Sequence, residues 1–328
     1  MPWMDTRVQS FATHQSVRAF APGGIGNMGP GLDILGCAVT GPGDAVHATR
    51  LETPGVRVDD HGHLDLPTNP ARHASAIAAW EVLRRAGAPF GLALRVEKGL
   101  PLAGGQGGSA ASAIAGAVAA NALLTRPLSL QEVLRASLVA EERLSGRHID
   151  NLAPALYGGI VLVRSIEPLH AARIPVPPSL RVVLVRPDMR LRTADSRAVL
   201  PGTVDRITAL AQAAAVATMI AAFESGDVSL LRGAIDDRIA EPARAGLLPG
   251  FALAKRAALD AGALGCSISG GGPSSFALVD GDDATQPVLD AMVAAYASAG
   301  VVASARVARI DERGAYIQAV DETPIDLA

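Results

Sequence analysis

Apolar and polar positions alternate along this chain in two distinct rhythms. Residues 16–21, 45–51 and 91–97 carry β-branched or aromatic positions between turn-rich flanks and predict strands. Residues 74–86 place apolar positions at helical spacing and stop at Gly87. A helix is expected from about 109 to 124, and another after Ser129, where Glu132 completes a capping box. Residues 159–163 read as a short strand. The proline-rich stretch 175–178 then marks a boundary between an N-terminal domain, 1–174, and a C-terminal domain, 175–328. Beyond it, strands are expected at 180–185 and 275–279, with helices at 205–223 and 250–261. Strands and helices alternate without tandem repeats, which predicts helices layered on a sheet, α/β or α+β.

Three glycine-rich segments interrupt this pattern, at 22–33, 101–113 and 265–273. The second has glycines at 104, 105, 107 and 108 directly before the Ala-rich helix. Glycine lets a ligand approach the main chain, and a helix N-terminus offers free N–H groups with a partial positive charge. Together these suit a phosphate group, although glycines before such a helix also serve close packing. No Lys follows them, which excludes a Walker A loop. Gly105-Gln106-Gly107-Gly108-Ser109-Ala110 fits the looser dinucleotide pattern, but Lys98 to Pro101 separates it from its strand, and no acid ends a following strand. Nicotinamide chemistry is not supported.

With 49% hydrophobic residues, a formal net charge of −3 and 328 residues, the chain can bury a sizeable core and shows no basic surplus for nucleic acid or anionic membrane. No apolar run of spanning length is expected. Residues 213–223 come nearest and fit a buried helix better. Residues 1–15 lack a signal-peptide core, and Cys37 and Cys266 form neither a disulfide framework nor a zinc pattern, so a cytoplasmic location is expected.

In order and separation, the three segments resemble the signature motifs of the GHMP small-molecule kinases, and within them the homoserine kinases. Residues 22–36 are similar to P-A-S-S-A-N-L-G-P-G-F-D-x-L-G, and His148-Ile149-Asp150-Asn151-Leu152-Ala153-Pro154-Ala155 to H-x-D-N-V-A-P-A. Thr193 with Arg197, Glu241-Pro242-Ala243-Arg244, and a third loop similar to S-G-A-G-P-S extend the resemblance over most of the chain. It implies an α+β two-domain fold, with an N-terminal domain like domain 2 of ribosomal protein S5 and a ferredoxin-like C-terminal layer. The activity it implies is ATP- and Mg²⁺-dependent phosphorylation of the homoserine hydroxyl in threonine biosynthesis, by a chain that pairs as a homodimer.

The same resemblance assigns residues. Pro101, Leu102, Ala103, Gly104, Gly105, Gln106, Gly107, Gly108, Ser109, Ala110, Ala111 and Ser112 would hold ATP, with Asn69, Gly271 and Gly272. Glu141 would hold Mg²⁺, with Glu142 as the fallback; on residue type alone that pair reads as a solvated helix face. A zwitterionic substrate needs a cation for its carboxylate, which Arg197 and Arg244 supply, and an acceptor for its ammonium, which Asp33 supplies. Asn27 and Asn151 would orient the amine and hydroxyl, His148 would contact substrate, and Thr193 would order a reacting oxygen. Glu141, Thr193 and Arg197 form the implied catalytic set, with no residue standing out as a general base. The chain departs from the family's G-L-G-S-S-A-A at Gln106 and Gly108, where Leu and Ser are usual. Loss of the hydroxyl costs about 1.5–3 kcal/mol if it bonded a charged group. Another GHMP-type kinase, or a low-turnover nucleotide-binding protein on the same fold, is the alternative.

Overall fold

The computed structural model describes residues 10–320. The expectation for residues 1–15 falls partly on residues 1–9, which lie outside the described residues. Strands β1 (Ser16–Gly26), β2 (Leu35–Leu51), β3 (Val56–Asp60), β4 (Gly91–Lys98), β5 (Ile160–Ile166) and β6 (Leu169–Ile174) join β11 (Tyr316–Val320) in a seven-stranded sheet. Its main path runs β11-β1-β2-β4-β3, and β5 leaves it to pair with the first residues of β2 and with β6. Strands β7 (Leu180–Pro187), β8 (Gly265–Ile268), β9 (Ser275–Asp280) and β10 (Ala303–Ala308) form a second, antiparallel sheet of order β10-β7-β9-β8. The chain thus passes from one sheet to the other between Ile174 and Leu180, and residues 316–320 return to the first.

Helices α1 (Ala74–Ala86), α2 (Gly108–Ala122), α3 (Leu130–Leu144) and α4 (Leu152–Tyr157) precede the crossing. After it come α5 (Thr193–Ala198), α6 (Arg206–Ser225), α7 (Ala240–Arg244), α8 (Phe251–Asp260) and α9 (Thr285–Ser298). The abundance of alanine has its reason in α2, which is buried from Ala110 through Ala122. Small side chains let it lie against α1 so closely that a Cβ at Gly116 would meet the Ser75 carbonyl at 2.4 Å. Helix α3 starts with the expected capping box of Ser129 and Glu132.

Two expectations need correction. The first glycine segment is not wholly a loop. Residues 22–26 complete β1, with Gly24, Ile25 and Gly26 paired to Ala38, Cys37 and Gly36. Close approach explains Gly26, since a Cβ there would meet Asn151 Nδ2 at 2.4 Å and Asp150 Oδ2 at 2.5 Å. The backbone turns immediately afterwards, with Asn27 at φ 67° and Met28 at φ 44°. The second correction concerns the helix placed at 205–223. It is 20 residues long, and by length and composition α6 is apolar enough to cross a membrane, yet only 22% of its 18-residue apolar window is buried. Its inward side holds Gln212, Met219, Ala222 and Phe223, whereas Ile207 and Leu210 are exposed. Gln212 Nε2 anchors it by donating to the Pro30 carbonyl at 2.8 Å and to Asp237 at 3.0 Å.

Candidate active site

A cavity of about 450 Å³ opens where the N-terminus of α2, the end of α3, α5 and the loop between β8 and β9 converge. At one end the wall is the segment 101–105 followed by Gly107, Gly108, Ser109, Ala110 and Ser112. Gly107 caps α2 with φ 70°, and Gly105 has φ 73°. The loop is fastened through its carbonyls. Ser274 Oγ donates to Gly104 O and Ser269 Oγ to Gly105 O, both at 2.6 Å, and Gly24 N donates to Gln106 O at 3.1 Å. With the oxygens held from behind, the first N–H groups of α2 have no intrahelical partner and remain available to an anion. Gly270, Gly271 and Gly272 close the opposite wall.

Under the first turn of α2 lies a buried network. Lys98 Nζ pairs with Asp44 and donates to Gly108 O at 3.1 Å and Ser112 Oγ at 3.0 Å. Ser112 Oγ donates to Asp44 Oδ2 at 2.6 Å, and the N–H groups of Gly99 and Leu100 donate to Asp44 Oδ1 at 3.2 Å. Every oxygen of this fully buried carboxylate therefore has a partner, as a buried charge requires.

The other end is built from side chains. Asn27 Nδ2 donates to Gly270 O at 2.8 Å, while its Oδ1 accepts from Asp33 N at 3.0 Å. Arg197 forms a two-point ion pair with Asp33, one contact being 3.2 Å. Arg244, 3% exposed, donates to the Ser196 and Gly270 carbonyls at 3.1 Å. Asp150 links the set, accepting from Asn27 N and Asn151 Nδ2 at 3.1 Å and lying 3.2 Å from His148 Nδ1. Burial pulls the His148 pKa down, but the Asp150 hydrogen bond and the Asp150 and Glu141 charges outweigh it and hold it above the usual histidine range. Burial likewise pushes the Glu141 carboxyl upward. Glu141 Oε1 lies 3.7 Å from His148 Nε2, and both Glu141 Oε2 and His148 Nε2 are buried without a hydrogen-bond partner among the described residues.

The solvated-face reading of the Glu pair fails for one member and holds for the other. Glu141 is 5% exposed and faces the cavity, whereas Glu142 is exposed and lies 3.4 Å from Arg147. Among the other expected residues, Thr193, Arg197, Arg244, Asn27, His148 and Asn151 all reach the cavity wall. Asp33 does not line it but sits behind Arg197. Three residues assigned to ATP stand elsewhere. Gln106 is buried away from the cavity and donates to Ser274 Oγ at 3.2 Å, binding one glycine loop to the other. Ala111 is packed in the core, because the helix turns its side chain away from the opening. Asn69 caps the short turn Pro70–Arg72 by accepting from Ala71 N at 3.0 Å, and Leu66, Pro67, Arg72 and His73 line that end instead.

Sequence reasoning missed Lys98, Asp44 and Asp150. The available signal for the first was scarcity, since Lys98 and Lys255 are the only lysines in the sequence. Both are ion-paired: Lys255 binds Glu241, whose second oxygen accepts from Ser267 at 2.7 Å, at the start of the helix that presents Arg244. Asp150 lies inside the motif His148–Ala155, between the residues to which the resemblance assigns roles.

The chain matches the N-terminal domain of the GHMP kinases over residues 73–159 and their C-terminal domain over 219–298. It is 41% identical to a homoserine kinase from Arabidopsis thaliana, over 92% of this chain and 84% of that protein. It is 40% identical to one from Chlorobium phaeovibrioides, over 86% of this chain and 92% of the other. The crystal structure of homoserine kinase from Cytophaga hutchinsonii superposes with a TM-score of 0.89 at 36% identity, covering 96% of this chain and all of that one. A Lactococcus lactis galactokinase, at 17% identity and a TM-score of 0.69, shares the fold. The two-domain GHMP architecture, the glycine-loop cavity and these relatives agree, and the chain belongs to the homoserine kinase family.

Proposed function

We propose that the protein phosphorylates the hydroxyl of L-homoserine from MgATP, yielding O-phospho-L-homoserine for threonine synthesis in the cytoplasm. The observation that carries this reading is the Asp33–Arg197 pair beside Arg244, at the far end of a cavity that begins with a glycine loop and a helix N-terminus. An ammonium and a carboxylate inserted there exchange one ion pair for two, Asp33 taking the first and Arg197 with Arg244 the second. A sugar has no carboxylate and mevalonate no ammonium, so neither repays the opening of the pair.

Residues 101–105 and 107–110 with Ser112, Gly271 and Gly272 receive the triphosphate, and Asn27 and Asn151 orient the amine and hydroxyl toward it. Thr193, at the first turn of α5, orders a reacting oxygen. Glu141 fits Mg²⁺, because its Oε2 is buried, lacks a hydrogen-bond partner, and belongs to a residue in the cavity wall. Asp33, His148 and Asp150 also approach one another within 4.8 Å, but Asp33 is held in the ion pair, and both Asp150 oxygens and His148 Nδ1 in the hydrogen bonds, described above. When bound, the cation neutralises charge on the transferring phosphoryl group. His148 Nδ1 is engaged by Asp150, and transfer relies on positioning and charge.

The test is ADP release with MgATP and L-homoserine, against L-serine, L-threonine, mevalonate and galactose. Turnover confined to homoserine is expected; MgATP binding without turnover on any of these alcohols would leave only a nucleotide-binding protein. A homodimer belongs to the same reading, with the exposed Ile207 and Leu210 of α6 in its seam, and Leu210→Glu should then sediment as a monomer.

A further inference from the structure

Behind the segment Lys98–Leu102 lies a second cavity, of about 670 Å³, between the first sheet and the open edge of the second. Four cations line it: Lys98, Arg186, Arg190 and Arg306. Lys98 is paired with Asp44, and Arg190 with Asp65 at 2.7 Å. Arg186 and Arg306 have no carboxylate partner among the described residues, and the one remaining acid of the wall is the exposed Asp188. Strand register places Arg186 opposite Ser304 and Arg306 opposite Leu184. The two arginines therefore stand diagonally on one face of the β7–β10 pair, with backbones about 7–8 Å apart, close enough for both guanidiniums to reach one small group. Arg306 Nη1 donates to the Thr40 carbonyl at 2.7 Å, whereas its Nη2 is buried without a hydrogen-bond partner among the described residues. Burial unopposed by a neighbouring acid also lowers the Arg306 pKa.

We propose that this cavity is a second anion site, taking a small oxyanion, phosphate or carboxylate, between Arg186 and Arg306. The occupant supplies the acceptor that Arg306 lacks. It also lies against the reverse side of the glycine loop, since Lys98 and Pro101 belong to both cavities and Gln106 faces this one. The site stands independently of which alcohol is phosphorylated in the first cavity.

The experiment is calorimetric titration of inorganic phosphate, and separately of acetate, into the full chain saturated with MgADP, which fills the first cavity. One equivalent is expected per chain. Arg186→Gln should weaken it about tenfold or more, the loss of a charged hydrogen bond, and leave the fold intact because Arg186 forms no ion pair. Arg306→Lys should weaken it too, and Arg244→Ala, in the first cavity, should not. The anion that binds more tightly identifies the oxyanion. Absence of binding, or binding that survives Arg186→Gln and is lost in Arg244→Ala, overturns the proposal. If MgADP itself fails to bind, that counts against the kinase reading; the same variants are then compared in the unloaded chain.

Discussion

At the glycine-loop end of the main cavity the wall is largely backbone, with Gly104, Gly105 and Gln106 held by their carbonyls from Ser274, Ser269 and Gly24. At the opposite end the wall is side chain, a set running from Asn27 through Asp150 to His148, with Arg197 backed by Asp33 from behind. A backbone site tolerates exchange of side chains and fails when φ or close approach is violated. A side-chain site fails with any one of its members. That difference explains how Gly108 and Gln106 depart from the family pattern while the pocket residues do not.

The largest effect is expected from Arg244→Ala. It removes a buried guanidinium, leaves the Ser196 carbonyl without that donor and the Gly270 carbonyl with Asn27 Nδ2 alone, and takes away a carboxylate partner. We expect kcat/KM for homoserine to fall about 100- to 1,000-fold, roughly 3–4 kcal/mol, with MgATP affinity nearly unchanged. Steady-state kinetics with a parallel nucleotide titration checks this. An equal loss at both substrates would dissolve the distinction between the two ends.

The complementary change is Gly105→Ala. At φ 73° a Cβ is strained, and it would lie 2.6 Å from the Gly272 carbonyl, so the two glycine loops must separate. MgATP affinity should drop about tenfold, 1.4 kcal/mol, in an equilibrium titration, while the homoserine end keeps its selectivity. An alanine tolerated at 105 would show that the loop's conformation is not what binds.

This contrast also decides what the sequence could disclose. Periodicity and turn-rich flanks located α1 and β4 closely, and the capping box placed the start of α3. Glycine spacing disclosed the backbone end, and the motif His148–Asn151 the side-chain end. Periodicity could not disclose that β1 runs on through residues 22–26, since the reason is tertiary: the strand must pass beside Asp150 and Asn151, more than 120 residues away. Nor could it show that α6 leaves its apolar face uncovered, because composition is the same whether that face meets the core or not. Nothing local marks Asp44, and only the pairing of Asp44 with Lys98 in β2–β4 brings carboxylate and ammonium beneath α2.

The side-chain end should also be the titrating end. His148 and Glu141 both have folded-state pKa values above their ordinary ones, so the native chain holds protons that the unfolded chain releases. Stability from this source is present at low pH. It is lost as pH rises, for Glu141 from about 4.3 upward and for His148 from about 6.5 upward, through the raised values. Urea midpoints of the ligand-free protein should therefore fall as pH rises above about 6.5. His148→Gln should flatten the slope in that window. A slope unchanged by that substitution would mean that the proton resides elsewhere.

The smallest effect, and the one that bears most directly on the comparison, is Gly108→Ser. A Cβ at 108 has ordinary contacts, 3.5 Å from Lys98 Nζ and 3.6 Å from both Leu100 Cβ and the Pro101 carbonyl, so the family's serine can be restored without displacing the helix. Lys98 and Ser112 already lie beneath this turn and line the same cavity. If backbone N–H groups carry most of the anion binding, the added hydroxyl should improve MgATP affinity or kcat only about two- to fivefold, below 1 kcal/mol. A gain of a hundredfold would mean that the hydroxyl, rather than the backbone, is the decisive element, and that the glycine-loop end is a side-chain site from which one member has been lost.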